Sequence, residues 1–170
     1  MKKTLLITIL LISVTSFSQS FTQFKSDIFK IEFPSNWIVV PREKMPQLAF
    51  VAYRKPESLT DKAQVTINVN IVDTPNLSLD KTYSGLVNSI AEAENFKLLE
   101  NGNVNISNQS FKWLIESHSN HKDKSQLMYN YVFVTYKNDK TYILTMVAFA
   151  QMFDTYKSTF GKISESLIIY

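Results

Sequence analysis

The two histidines of the chain, His118 and His121, lie in a short polar stretch that also contains Asp123. Two imidazoles and a carboxylate are a ligand set that Zn²⁺ accepts, with a coordination position left open for water. The stretch also has the composition of a loop between two strands, and Lys122 and Lys124 would repel a bound cation. We expect a solvated hairpin loop and no cofactor. The alternative is a metal-binding protein or hydrolase that uses His118, His121 and Asp123.

Other catalytic arrangements are not found in the sequence. The chain has no Cys, and its glycines at positions 85, 102 and 161 are isolated from one another. A phosphate-binding loop needs clustered glycines, and a nucleophilic serine needs a base and an elbow with flanking glycines. Paired carboxylates fall on expected surfaces, at Glu43, Glu57, Glu92 and Glu94. We therefore predict a protein that is not an enzyme, with no catalytic residues.

Five aromatic residues have the size and chemistry to line a ligand site. Trp37 and Trp113 offer ring faces that can stack on a sugar, and Tyr129, Tyr131 and Tyr142 fall on two expected neighbouring strands. Large rings more often fill a core, and strands that are apolar on both faces are usually covered on both sides. We expect all five to be core residues.

The composition suits one folded domain. The chain has 170 residues, of which 45% are apolar and 19% are charged. Such a chain is long enough to bury a core, and its composition is unlike that of a collagenous, disulfide-stapled or disordered chain. With no Cys, it needs no oxidising environment in order to fold.

Residues 1–18 have the order of a secretory signal peptide. A basic start precedes an apolar run at Thr4–Val14, and small residues follow at Ser16 and Ser18. The run is about half as long as a membrane-spanning helix, which needs roughly twenty residues. We expect cleavage after Ser18 and a soluble protein in the periplasm or secreted, with no stable membrane span.

The charge balance does not favour a nucleic-acid partner. The chain has 18 basic and 15 acidic residues. Cleavage of the leader would remove Lys2 and Lys3 and leave 16 basic and 15 acidic residues. Basic and acidic residues are interspersed, whereas a phosphate-binding groove needs clustered Lys and Arg. We expect another envelope or secreted protein as the partner.

The spacing of apolar residues predicts both strands and helices. Val65–Ile71 alternates apolar and polar residues, as does a strand with one wet face. Leu127–Tyr136 and Thr141–Phe149 are apolar on both faces, and the Asn-Asp turn between them predicts a central hairpin. Helices are predicted over about 79–93, capped by Ser78, and over about 154–166, capped by Asp154.

The remaining segments complete a single domain over residues 27–170, after a flexible N-terminus at 19–26. Shorter strands are predicted at 28–33, 37–40, 48–53, 96–100, 104–106 and 111–115, with a turn at 101–103. Strands outnumber helices and neighbouring strands are joined by tight turns, so we expect an α+β fold with a mainly antiparallel sheet.

Three segments resemble the PsbP/Mog1/DcrB-like superfamily in their residues and in their order. Phe29–Trp37 resembles the opening strand that ends in an aromatic residue, Pro and Trp; Leu77–Leu79 resembles the start of the next helix; and Phe160–Leu167 resembles the closing helix. The resemblance covers about residues 27–169. It implies an antiparallel sheet sandwiched by helices and a role in binding other proteins, with no covalent chemistry.

Processing of the leader gives the first prediction. We expect the mature protein to begin at Gln19 and to be found outside the cytoplasm, because residues 1–18 carry the order of a cleavable leader. N-terminal sequencing of exported material is the measurement. An intact Met1 recovered in a membrane fraction would contradict it.

Overall fold

The computed structural model describes residues 19–58, residue 61 and residues 64–170, so the expected leader at 1–18 lies outside the described residues. The strands are β1 (Phe21–Lys25), β2 (Phe29–Pro34), β3 (Ile38–Val39), β4 (Phe50–Tyr53), β5 (Val65–Asp73), β6 (Lys97–Ile106), β7 (Gln109–Ser119), β8 (Leu127–Lys137), β9 (Lys140–Phe149) and β10 (Ile168–Ile169). The helices are α1 (Leu79–Ile90) and α2 (Ala150–Glu165), and Arg42–Lys44 forms a single 3₁₀ turn.

Two antiparallel sheets organise these elements. Seven strands form a large sheet in the order β3-β4-β5-β9-β8-β7-β6, and three strands form a small sheet in the order β1-β2-β10. Helix α2 packs on β8, β9 and β2, and α1 packs on β7 and β8. The predicted α+β class, with a mainly antiparallel sheet between helices in one domain, is confirmed.

Side-chain alternation gives the large sheet one strongly apolar face. Ile67 on β5 lies opposite Met146 on β9, and Met146 lies opposite Tyr131 on β8, so their side chains share a face. Helix α2 covers this face with Phe160 and Ile163, both of which are fully buried. The predicted 3.6-residue stripe of the last helix therefore forms part of the core.

Helix α1 lies on the opposite face of the large sheet. Lys112 alternates along β7 with the core residue Phe111, and its ammonium contacts Asp80 of α1 at 2.6 Å. The same ammonium lies 5.3 Å from the ring centre of Tyr83. The predicted cap of this helix is confirmed, because Ser78 Oγ accepts a hydrogen bond from the amide of Lys81 at 3.3 Å.

The central hairpin forms as predicted. Lys137 pairs with Lys140 at its end, and the register continues to Met128 opposite Phe149. Asn138 and Asp139 have φ values of 51° and 58°, the left-handed conformation that a two-residue hairpin turn requires. Asn and Asp adopt this region more readily than most residues do, which explains why the turn needs no glycine.

The segment at residues 21–25 corrects the expectation of a flexible N-terminus. It forms β1 and pairs with β2 from Phe21 opposite Pro34 to Lys25 opposite Lys30. The ring of Phe24 lies 4.6 Å from that of Phe50 on the large sheet. The segment is ordered by partners that are distant in sequence, which its own residues do not reveal. Strand β10, which completes the small sheet, was also not predicted.

The expected turn at residues 101–103 is wrong, because β6 is one continuous strand. A bulge interrupts its register with β7 between Leu98 and Glu100. Gly102 lies opposite Trp113, and a Cβ atom at Gly102 would come within 2.9 Å of the indole ring. The glycine thus makes room for a cross-strand ring rather than turning the chain.

The last helix begins four residues earlier than predicted. Its N-cap is Phe149, whose side chain makes no capping hydrogen bond, and Asp154 lies exposed within the helix instead of capping it. The helix follows β9 directly, and no polar capping residue separates the two elements. No helix among the described residues is both long and apolar enough to span a membrane.

The core position of α2 gives a second prediction. Phe160→Ala should lower the free energy of unfolding by about 3–5 kcal/mol, because it empties a fully buried ring site. The exposed Thr155→Ala on the same helix should change it by no more than about 0.5 kcal/mol. Urea denaturation of both variants measures the difference. A loss below about 1 kcal/mol for Phe160→Ala would show that this position is not core.

Candidate functional site

A cleft of about 560 Å³ opens between the two sheets, at the end where β3 and β4 lie. The turn from Ser26 to Phe29 forms one side of it, and the connection 41–48 forms another. Ile71 of β5 and the Asp73–Lys140 pair also line it. Its volume falls within the range of about 300–1,000 Å³ that is usual for ligand sites.

The rim of the cleft is apolar and exposed. Ile28, Val39 and Met45 have 42%, 42% and 37% of their surfaces accessible. Val39 lies opposite Ala52, which is fully buried, so its side chain points to the core side of the sheet. It is nevertheless exposed, because the cleft opens beside it. We call Ile28, Val39 and Met45 the cleft rim.

The charge of the cleft is positive at its mouth. Arg42, in the 3₁₀ turn, lines the cleft and is exposed. Within the part of the chain that the structure describes, no carboxylate forms a salt bridge with Arg42. The carboxylate of Asp73, by contrast, is neutralised by Lys140. The cleft thus combines walls that are more apolar than polar, with Ser26 and Gln47 among the polar lining residues, and one available guanidinium.

A buried arginine orders the next connection along the chain. Arg54 is only 6% exposed, and its guanidinium donates to Glu57 Oε1 at 3.0 Å and to Asp61. Asp61 in turn accepts from the amide of Glu57 at 2.8 Å. Residues 59, 60, 62 and 63 lie outside the described residues. The residues after Arg54 have the polar composition of an exposed loop, and only tertiary packing reveals the burial of Arg54 itself.

A buried carboxylate lies under α1, on β7. Glu116 is fully buried, and its carboxylate accepts from Asn130 Nδ2 at 2.6 Å. His118 Nδ1 lies 3.1 Å from the other carboxylate oxygen. Burial raises the pKa of Glu116 above its ordinary value, and the contacts with His118 and Asn130 oppose this effect. A lone acid in an apolar strand was the signal in the sequence, and it was missed.

The structure does not group the three candidate ligands of the metal alternative, His118, His121 and Asp123. His118 belongs to the end of β7 and contacts Glu116, whereas His121 is exposed in the following turn. Asp123 Oδ1 accepts two hydrogen bonds from Ser125, which lower the pKa of Asp123. Among the described residues no three side chains of metal-ligand type are grouped together. The stretch has the hydrogen bonds of a hairpin turn.

The aromatic residues belong to the core or pack against it. Trp37 and Tyr142 are 6% and 3% exposed, and Trp113, Tyr129 and Tyr131 are partly buried against the core cluster. Trp113 contacts Tyr131 edge-on at 5.6 Å between ring centres. Trp37 and Tyr142 are thus core residues as expected, whereas Trp113, Tyr129 and Tyr131 pack against the core and keep part of their surface accessible.

Comparison with known proteins places this arrangement in one fold. No family model and no curated protein matches the sequence. In structure, the chain is similar to PsbP (CyanoP) from Synechocystis sp. PCC 6803, with a TM-score of 0.61 and 15% identity over 92% of this chain and 96% of that one. It is also similar to LpqN of Mycobacterium tuberculosis, which is involved in cell envelope biogenesis, with a TM-score of 0.63 and 14% identity over 88% and 84% of the two chains.

A third similar structure is the Ran-binding protein Mog1p of Saccharomyces cerevisiae. Its TM-score is 0.61 and its identity is 11%, over 89% of this chain and 96% of that one. At such low identities the likeness shows the fold alone. The chain therefore has the PsbP/Mog1-like fold that its sequence resembled.

The buried carboxylate gives a third prediction, on the pH dependence of stability. Because the folded pKa of Glu116 is raised, the folded protein binds more protons than the unfolded chain between the two pKa values. The contribution of Glu116 to the free energy of unfolding should therefore fall as the pH rises from 4.5, the ordinary pKa, through the pKa of the folded state. The size of this fall is about 1.4 kcal/mol for each unit by which the pKa of Glu116 is raised. Glu116→Gln should abolish it.

Chemical denaturation between pH 4 and pH 8 measures this effect as the difference between two profiles. The glutamine side chain has the same shape as that of glutamate and can still form hydrogen bonds with His118 and Asn130. The exposed Glu92→Gln is the matched control and should leave the profile parallel to that of the wild type. If the Glu116→Gln profile were also parallel to it, the raised pKa would be disproved.

Proposed function

We propose that this protein is an exported, non-catalytic accessory protein of the cell envelope that binds another envelope or secreted protein at the cleft rim. The observation that carries the proposal is the group of large apolar side chains exposed around a concave site, Ile28, Val39 and Met45. Contiguous apolar surface of this kind marks interaction sites in proteins that are otherwise polar outside.

The elements around the cleft are suited to binding a partner. Residues 41–46 lie between two strands and carry both charged and apolar exposed side chains. Pro41 and Pro46 restrict this connection at its two ends. A rigid connection loses little conformational entropy on binding, which favours affinity.

The connection that follows β4 supplies a separate charged surface in this proposal. Arg54 itself is buried and positions Glu57, whose side chain is 83% exposed. A partner would meet Glu57 and its exposed neighbours rather than Arg54. Substitution of Arg54 would therefore disturb the segment rather than remove a contact.

The similar structures support the direction of the proposal. Mog1p is a Ran-binding protein, and LpqN is involved in cell envelope biogenesis. Both descriptions fit a fold that works by binding, and the second fits an envelope location. The expected leader at residues 1–18 adds the route of export.

Partner capture gives the fourth prediction. Met45→Glu should reduce recovery of a cross-linked partner from the native envelope by about tenfold or more, because a charge at the centre of an apolar contact must be desolvated. The matched control is Leu99→Glu, on β6 at the opposite edge of the large sheet, where the leucine is 43% exposed. Quantitative mass spectrometry of cross-linked complexes measures both.

The metal alternative is tested in the same experiment. His121→Ala removes an exposed imidazole that has no place in the proposed interface. Equal capture by this variant and the wild type is expected. A stoichiometric metal in the purified protein, together with loss of capture on His121→Ala, would overturn the proposal in favour of that alternative. Equal capture by Met45→Glu and Leu99→Glu would show that the cleft rim is not the interface.

A further inference from the structure

We infer that the cleft between the two sheets binds the acyl chain of a single-chain amphiphile with an anionic head group, of the fatty-acid class. The chain would lie against the apolar walls and the carboxylate would meet Arg42. The inference rests on the same site as the proposed function and adds a small-molecule occupant, whose binding is measurable without any partner protein.

The side chains of the cleft walls favour a hydrocarbon chain as the main part of the ligand. Phe24 and Ile28 come from the small sheet and its turn, and Val39, Leu48 and Ile71 come from the large sheet and the connection. No polar side chain at the centre of these walls is buried without a partner; among the described residues the unpartnered buried atoms belong to Arg54, Thr82 and Asn130, none of which lines this cleft. The interior therefore favours methylene groups over a polar ligand.

Arg42 at the mouth of the cleft favours a ligand with a negative charge. The guanidinium of Arg42 forms no salt bridge within the described residues, whereas the ammonium of Lys140, which also lines the cleft, is paired with Asp73. Arginine presents a planar fork of donors that matches a carboxylate. A cationic ligand would meet Arg42 at the entrance with no free carboxylate among the lining side chains.

The edge of the sheet argues against an extended peptide as the occupant. Strand β3 is two residues long, and the amide of Val40 already bonds to the carbonyl of Val51 on β4. The next residue, Pro41, has no amide hydrogen and cannot donate to an added strand. An added strand would gain few main-chain hydrogen bonds here, whereas an acyl chain needs none.

Calorimetric titration of the protein purified from its native host, stripped of bound lipid, tests the inference. The probes are octanoate, decanoate and dodecanoate below their micellar concentrations, with decanol and decylamine as head-group controls. We expect one site and an affinity that rises about fourfold for each added methylene, which corresponds to about 0.8 kcal/mol for each buried group. Decanoate should bind more tightly than decanol, and decylamine more weakly than both.

Two pairs of variants locate the site. Arg42→Gln should weaken decanoate about tenfold and leave decanol unchanged, while Lys97→Gln, an exposed lysine on β6, should leave both unchanged. Val39→Asp should weaken both ligands at least tenfold. Ile38→Asp changes a neighbour that is 37% exposed and does not line the cleft, and it should have no effect. Thermal unfolding of each variant shows that it is folded.

Three results would overturn the inference. They are an affinity that does not depend on chain length, a decylamine affinity equal to that of decanoate, and equal effects of Val39→Asp and Ile38→Asp. The failure of the proposed function is separate, because loss of partner capture with intact decanoate binding rejects only the protein interface. Intact capture with no decanoate binding rejects only the acyl ligand.

Discussion

The side chains that β5, β8 and β9 direct toward α2 must all be kept from water, and the rest of the fold follows from this requirement. One helix of sixteen residues covers β8 and β9, and the small sheet packs on β4, where Phe24 and Phe33 contact Phe50. The small sheet has three strands, and Val39 on β3 stays exposed. The cleft is the place where this cover is incomplete, so it is a product of the architecture as well as a candidate binding site.

Charged groups with little solvent access are few, and each has a structural consequence. Arg54 holds the connection after β4 in place through salt bridges with Glu57 and Asp61. Glu116 lies beneath α1, where a hydrocarbon side chain would pack without any need for partners, and it relies on His118 and Asn130 to replace water. Arg42 differs from both, because it is exposed and has no carboxylate partner among the described residues. An available charge beside apolar surface is more informative about binding than a buried pair.

Local pattern was sufficient for elements whose signals lie within a few residues. The alternation in β5, the turn at Asn138 and Asp139, and the cap at Ser78 all express local backbone chemistry, and all were predictable. The misreadings have a common cause. Strand β1 exists because β2 is beside it, and Gly102 accommodates a ring from β7. The cleft joins residues that are more than a hundred positions apart, so no local pattern encodes it.

The bulge in β6 has a consequence for how copies of this protein meet one another. Strand β6 is an outer edge of the large sheet, and Leu98 and Leu99 are each 43% exposed on it. A flat edge with exposed leucines is a template on which further chains can stack into fibrils. The irregular step between Leu98 and Glu100 breaks the regular spacing of main-chain donors and acceptors at this point. The bulge thus shortens the run of regular edge on which a second copy could pair, next to the point where Lys157 of α2 contacts Glu100.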